Sequence, residues 1–260
     1  MTEYEEEIAE LDGHLRPFLR PDFFFVNVGA SDGVVADPIF PFIERYGWHG
    51  IVVEPVPYVF AQLQENYRHL ENVIFERAAI SEESRSFWYI EEGSGSIDYV
   101  MKQIGSLSKE RVLETLAGLR ALKAHVARVP AAIESEGITT PVHEGPTILD
   151  DAELYLREIE VPCISFNDLM RKHRVDHIDF LNIDAEGYDL EIFHSIDFDA
   201  YRPQVLCIET EGHSNDEQED VRARLRSLDY EWRQQFGLFS GVYVQPSPRQ
   251  RSPMSHPEAS

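Results

Sequence analysis

Apolar and polar positions along this chain follow two periods that take turns. From Phe23 the residues FFFV run without a polar break into the turn NVGASDG. A half-exposed strand would alternate apolar with polar, so this run predicts a strand buried on both faces. The same patterning predicts strands over 23–29, 50–54, 72–79, 159–164, 177–183 and 203–209, with helices over about 35–46, 57–69, 166–173 and 187–195 between them. Strand and helix in alternation call for crossover units and a parallel sheet, an α/β fold. A charged helix over about 216–227 follows, and Tyr230–Phe236 with Leu238–Val244 form a predicted hairpin around Gly237.

Three segments depart from the alternation. Ile8, Leu11, Leu15, Phe18 and Leu19 fall at helical spacing behind the acidic run Glu5–Glu7, which predicts a helical cap over 1–20 packed on a main domain at 21–245. From about 91 to 158 lies an insertion, in which Val112, Leu116, Leu119, Leu122 and Val126 mark one face of a helix beginning near Ser108. So long an insertion should have structure of its own, as a substrate lid, an oligomer contact or a peripheral decoration. Residues 246–260 combine proline, serine and charge with no apolar face, the composition of a disordered tail.

Composition narrows the class. The 260 residues carry 47 Asp and Glu against 23 Lys and Arg, a net charge of −24. That field repels polyphosphate backbones and anionic membranes, which argues against nucleic acid and membrane partners. Cys163 and Cys207 each sit in an apolar stretch, VPCISF and VLCIET, as expected of reduced, core-packed thiols in a cytoplasmic protein. No apolar run approaches the ~18 residues of a membrane span.

The first candidate chemistry lies in the turn after the first strand. Gly29 and Gly33 lack a Cβ, so the backbone there can turn sharply and approach a ligand, or can simply permit a tight strand-to-helix connection. Glu54 ends the second strand 21 residues beyond Gly33, where a carboxylate can bind a ribose diol. Pro55 and Pro57 behind it would also serve merely to end the strand. The order Gly29, Ala30, Ser31, Asp32, Gly33 lacks the central glycine of the dinucleotide fingerprint and sets a carboxylate where pyrophosphate would lie. An adenosyl ligand without phosphates, carrying a sulfonium and an amino acid end, suits that acidic rim better. S-adenosylmethionine fits the description.

A second constellation is FLNIDAEGYDLEIF, in which Asp184 ends a strand and Glu186 with Gly187 opens the next helix. A third, IETEGH, sets Glu209, Glu211 and His213 at the end of the following strand. Topology brings these groups to the sheet edge where open α/β folds bind ligands. Helix capping is the competing explanation for Glu186, and a surface loop position for His213.

The segments VNVGASDG, VVEPVPYVFAQLQEN, AAIS, GSGSI, ISFNDLM and DFLNIDAEGYDLEIF resemble, in order and wording, the FkbM-type methyltransferase family. The resemblance covers about residues 23–211, interrupted by the insertion. It implies a Rossmann-like class I methyltransferase fold, a mostly parallel seven-stranded sheet with an antiparallel C-terminal strand. It further implies an S-adenosylmethionine site at Asn27, Gly29, Ala30, Ser31, Asp32, Gly33, Glu54, Pro55, Ala79 and Ser96, and O-methylation of a hydroxyl. Sugars and polyketide-type natural products are typical acceptors of the family. This chain departs from the pattern at Asn27, where an acid is usual, and at Asn182, where a lysine is usual.

An alcohol is a poor nucleophile at neutral pH, so a base or a metal would help the transfer. The residues give Asp184 an acceptor-facing role and His213 that of the base, with Glu186 and Glu209 in support. In an alternative arrangement Asp184, Glu209 and Glu211 hold Mg²⁺. Two rival classes remain: a nucleoside-binding protein of the same fold that has lost catalysis, for which Asn27 and Asn182 argue, and a nicotinamide-dependent oxidoreductase. A homo-oligomer would form through the insertion.

Overall fold

The computed structural model describes residues 3–34, 37–91, 104–126, 148–210, 213–236 and 240–246. At its centre Phe24–Val28 (β1) pairs in parallel with His49–Val53 (β2) on one side and Phe180–Ile183 (β9) on the other. Val73–Glu76 (β3) extends the sheet beyond β2. On the far side come Val205–Glu209 (β10), then Ser240–Val244 (β12), antiparallel to both its neighbours, then Glu231–Phe236 (β11). Across this seven-stranded sheet the chain order is third, second, first, fourth, fifth, seventh, sixth. The Rossmann-like arrangement with a reversed last strand is thus present, and Cys207 is fully buried within β10.

Both faces of the sheet are covered, which is why the first strand reads as a continuous apolar run. Phe25 faces the helices Glu3–Leu15 (α1), Phe40–Tyr46 (α2) and Pro57–Asn66 (α3), packing with Leu11, Leu15, Phe42, Ile43 and Leu63. Val26 and Val28 face Phe166–His173 (α5), Asp189–Ser195 (α6) and Asn215–Ser227 (α7), packing with Phe166, Leu169, Phe193 and Val221. The expected N-terminal helix is present, and its apolar stripe closes one face of the core. Among the described residues no helix is long and apolar enough to cross a membrane.

Several boundaries move for identifiable reasons. The helix expected from 35 starts at Phe40, because Pro38 disfavours helical backbone at Asp37 before it. The strand expected over 72–79 divides: β3 ends at Glu76, and Ala79–Ile80 (β4) leaves the main sheet to pair in parallel with Cys163–Ile164 (β8). The strand expected over 159–164 divides as well. Pro162, which has no N–H to give a ladder, separates β8 from Leu156–Glu160 (β7). β7 joins Ser86–Ile90 (β5) and Gly105–Ser106 (β6) in a small antiparallel sheet.

That small sheet ties both ends of the insertion to the domain. The helix expected near Ser108 runs Lys109–Val126 (α4), and its buried Val112 and Leu116 pack with Ile90, Ile104 and Ala152 in a satellite core. Residues 247–260 of the C-terminal tail expected to be disordered lie outside the described residues, as does Ser96.

Candidate active site

The strand order reverses direction at β1, since the chain proceeds outward through β2 and β3 and then returns to β9 on the other side. Ligands in open α/β sheets bind in the crevice that such a reversal leaves at the C-terminal strand ends. Asn27, Glu54, Asp184 and Glu209 all stand at that edge.

The turn after β1 is held by the chain itself. Gly29 and Ala30 both donate their N–H to the Val53 carbonyl at 3.0 Å, Ser31 N–H donates to Glu54 Oε2 at 3.1 Å, and Gly33 N–H donates to the Ala30 carbonyl. Asp32 takes the Val34 N–H on its side chain and the Asn66 amide on its carbonyl. The two glycines answer to protein neighbours. Both have positive φ, and a Cβ at Gly33 would lie 2.4 Å from Leu63 Cδ1. The tight connection is therefore sufficient to require both glycines. With four of its N–H groups spent inside the chain, the turn offers little to a pyrophosphate.

Glu54 behaves differently. Its Oε2 takes the Ser31 N–H and its Oε1 the Val56 N–H at 2.8 Å, which leaves one lone pair on each oxygen. Burial raises its pKa to about 7 against those two hydrogen bonds. Pro55, buried behind it, fixes the chain as it leaves β2.

Asn27 does not present a free amide to the crevice. Its Oδ1 accepts from Asn182 Nδ2 at 2.9 Å and its Nδ2 donates to Asp37 Oδ2 at 2.7 Å. Positions 27 and 182 are register partners on adjacent strands, so the two departures from the family pattern are one hydrogen-bonded pair. Ala79 donates its N–H to the Pro162 carbonyl at 2.9 Å.

Three carboxyls gather beyond β9 and β10. Oxygens of Asp184, Asp189 and Glu209 all lie within 4.8 Å of one another. Asp189 accepts from the N–H groups of Ala185 at 2.6 Å and Gly187 at 2.9 Å. Burial, then the neighbouring acids, push Glu209 up to about 12, and burial raises Asp184. Three acids this close disfavour one another's ionisation in the absence of a cation.

Sequence reasoning missed Asp189, which reads as an ordinary acid in the first turn of a helix. Helix capping, the competing explanation for Glu186, does not hold, because Glu186 lies in the left-handed region at φ +52 and the helix starts at Asp189. Glu211, expected in the metal set, lies outside the described residues.

His213 stands apart from these carboxyls. It lines a cleft of about 640 Å³ with Arg85, Ser108, Arg111, Tyr188 and Glu191, between the insertion helix α4 and the helices α6 and α7. Arg111 Nη2 lies 3.3 Å from its Nδ1, and its buried Nε2 has no hydrogen-bond partner. Burial, then the Arg111 charge, lower its pKa, so the ring is neutral at pH 7. The expected convergence of imidazole and acids thus resolves into two neighbouring places joined by the loop at Gly187, against which Arg111 packs.

The donor set fits S-adenosylmethionine. Asp37, Glu54, Asp184, Asp189 and Glu209 are carboxyls of raised pKa, and among the described residues none forms an ion pair. A buried acid left without a counter-charge is costly, and a cationic ligand would supply one.

The methyltransferase FkbM domain matches residues 27–232 of the sequence. No functionally curated protein matches it. Among solved structures, the human methyltransferase 10 domain containing protein is similar at 8% identity and TM-score 0.40, over 93% of this chain and 80% of that one. A methyltransferase FkbM from Methylobacillus flagellatus is similar at 14% identity and TM-score 0.46, over 87% of this chain and 44% of that one. The precorrin-6y C5,15-methyltransferase of Geobacter metallireducens shows 13% identity and TM-score 0.36, over 94% and 87%. This chain therefore spans less than half the length of that FkbM relative.

Proposed function

The chain belongs to the FkbM-type methyltransferase family, a family dependent on S-adenosylmethionine, and from that we propose that it methylates a hydroxyl of a small acceptor such as a sugar or polyketide-type natural product. The observation that carries the reading is the pairing of a turn whose N–H groups are spent internally with strand-end carboxyls that form no ion pair among the described residues. That chemistry suits a sulfonium compound and disfavours a dinucleotide.

S-adenosylmethionine, when bound, supplies a methyl group already activated on sulfur. The chain's own residues do the rest. Glu54 receives the ribose diol on its two remaining lone pairs. The cleft beside α4 seats the acceptor, and Asp184, Glu186 and Glu209, which do not line it, act in support from the strand ends next to the Gly187 loop. His213 Nε2, neutral and unpartnered, would take the hydroxyl proton as the acceptor oxygen bonds to the methyl carbon and the donor's carbon–sulfur bond breaks, leaving S-adenosylhomocysteine. Holding acceptor and donor in line contributes the larger part, on the order of 7 to 11 kcal/mol. A net charge of −24 leaves nucleic acid and anionic membranes out of this proposal.

Calorimetry with S-adenosylmethionine, S-adenosylhomocysteine and NADH, followed by turnover on a panel of hydroxylated acceptors, tests the reading. Tight binding of the adenosyl compounds with transfer to at least one hydroxyl supports it. Preference for NADH would overturn it, and binding without transfer to any acceptor would favour the non-catalytic rival.

The proximity of Asp184, Asp189 and Glu209 favours one addition, a hard divalent cation such as Mg²⁺ held there by oxygen ligands. Turnover unchanged after exhaustive chelation dismisses that addition and leaves the rest standing.

A further inference from the structure

Asp37 is a carboxyl that the sequence motifs pass over. It follows β1 by nine residues in the stretch VVADPIFPF, is 6% exposed, and lies within the Coulombic reach of Asp184. A helix cap would account for one of its oxygens: Oδ1 accepts from the N–H groups of Ile39 at 2.6 Å and Phe40 at 2.9 Å at the start of α2. It does not account for the other. Oδ2 receives the Asn27 amide from the middle strand of the sheet at 2.7 Å.

The direction of that contact is fixed from behind. Asn182 donates to Asn27 Oδ1, so the Asn27 amide nitrogen faces Asp37, and Asn182 orients the donor that Asn27 gives to the carboxylate. The Tyr4 hydroxyl, donating to the Asp37 carbonyl at 2.8 Å, brings α1 onto the same residue. Three donors converge on a side chain that no cation pairs with among the described residues, and a like charge stands beside it. Burying an anion in that way is favourable only when a positive charge arrives. Asn27, which donates to Asp37, stands near the C-terminal end of β1, with Glu54 following the neighbouring β2 and Asp184 following β9 on the other side.

We propose that Asp37, through Asn27, supplies the negative charge that binds the ammonium of the donor's amino acid end. The inference rests on the S-adenosylmethionine reading above and deepens it. Asn27 then serves as a positioning residue: the charge that its own strand-end position lacks is set ten residues later in the chain and oriented by its amide. Oδ2 keeps one lone pair for the incoming N–H.

The test compares two neutral-sulfur ligands that differ in the amino acid end alone. Calorimetry would measure S-adenosylhomocysteine, which carries the ammonium, and 5′-methylthioadenosine, which lacks it, against wild type, Asp37→Asn and Asp37→Ser. Asparagine keeps the shape, and serine keeps a helix-capping hydroxyl, without the charge. The expected result is about a tenfold or greater loss of S-adenosylhomocysteine affinity, the size of a charge-assisted hydrogen bond, with 5′-methylthioadenosine changed less than about twofold. Equal losses for the two ligands, no loss for either, or failure of both variants to fold would each overturn the proposal and leave Asp37 a structural cap. If the wild type bound neither ligand, the donor assignment itself would fall, a result distinct from all of these.

Discussion

Gly29 lies so close to Asp184 that a Cβ at position 29 would stand 1.6 Å from the Asp184 carbonyl oxygen. The atom in the way is backbone at the end of β9, which cannot swing aside as a side chain would. Gly29 also has φ +79. Gly29→Ala should therefore cost on the order of 3 kcal/mol or more, from overpacking and left-handed strain together. Gly13, in helix α1 with nothing within 4 Å of its added Cβ, is the internal contrast. Gly13→Ala should stabilise by about 0.5 to 1 kcal/mol. Urea unfolding of the two variants checks both signs.

Stability of the ligand-free protein should fall between pH 6.5 and 8. Asp37 and Glu54 have folded pKa values raised to about 7 by burial. A raised carboxyl contributes stability that is complete below its unfolded pKa and disappears as pH climbs through the folded one. The loss over this window is on the order of 1 kcal/mol per group. His213, whose pKa is lowered, works in the opposite sense but below about pH 6.5, where the unfolded imidazole titrates. Unfolding curves at three pH values measure the slope, and Glu54→Gln should flatten it.

Replacing Glu54 tests the ribose contact. Glu54→Gln removes the charge and converts one acceptor into a donor, so S-adenosylhomocysteine affinity should fall by about 10- to 100-fold. Calorimetry would show it. Unchanged affinity would place the ribose elsewhere.

His213→Ala should separate chemistry from donor binding. Loss of a general base lowers turnover by about 100-fold or more. Donor affinity should stay within about twofold, because Glu54 is not among the residues that line the cleft holding His213. Steady-state rates on any acceptor found, beside calorimetry with S-adenosylhomocysteine, give the two numbers.

The layering of the fold was legible in the sequence because burial on both faces leaves a local mark. FFFV, IVVE and VLCIE are runs that no half-exposed strand would have, and the helices between them keep their apolar stripe. The turn glycines and Glu54 were legible for a similar reason, being fixed by distance along the chain from the strands that carry them. Positive φ at Gly29 and the strand-end carboxylate at Glu54 are local demands.

What remained hidden depends on neighbours far apart in sequence. Asn27 looked like a ligand-facing amide until Asn182, 155 residues away, took its oxygen and turned its nitrogen toward Asp37. Asp189 looked like a first-turn helix acid until β9 and β10 brought Asp184 and Glu209 beside it. His213 was assigned to the acids by strand order, but α4 of the insertion reaches it with Arg111 and draws it into a separate cleft. A sequence fixes periodicity and backbone conformation, which act between near neighbours; whether a polar group ends up bonded, charged or free is decided by which strand is folded next to it.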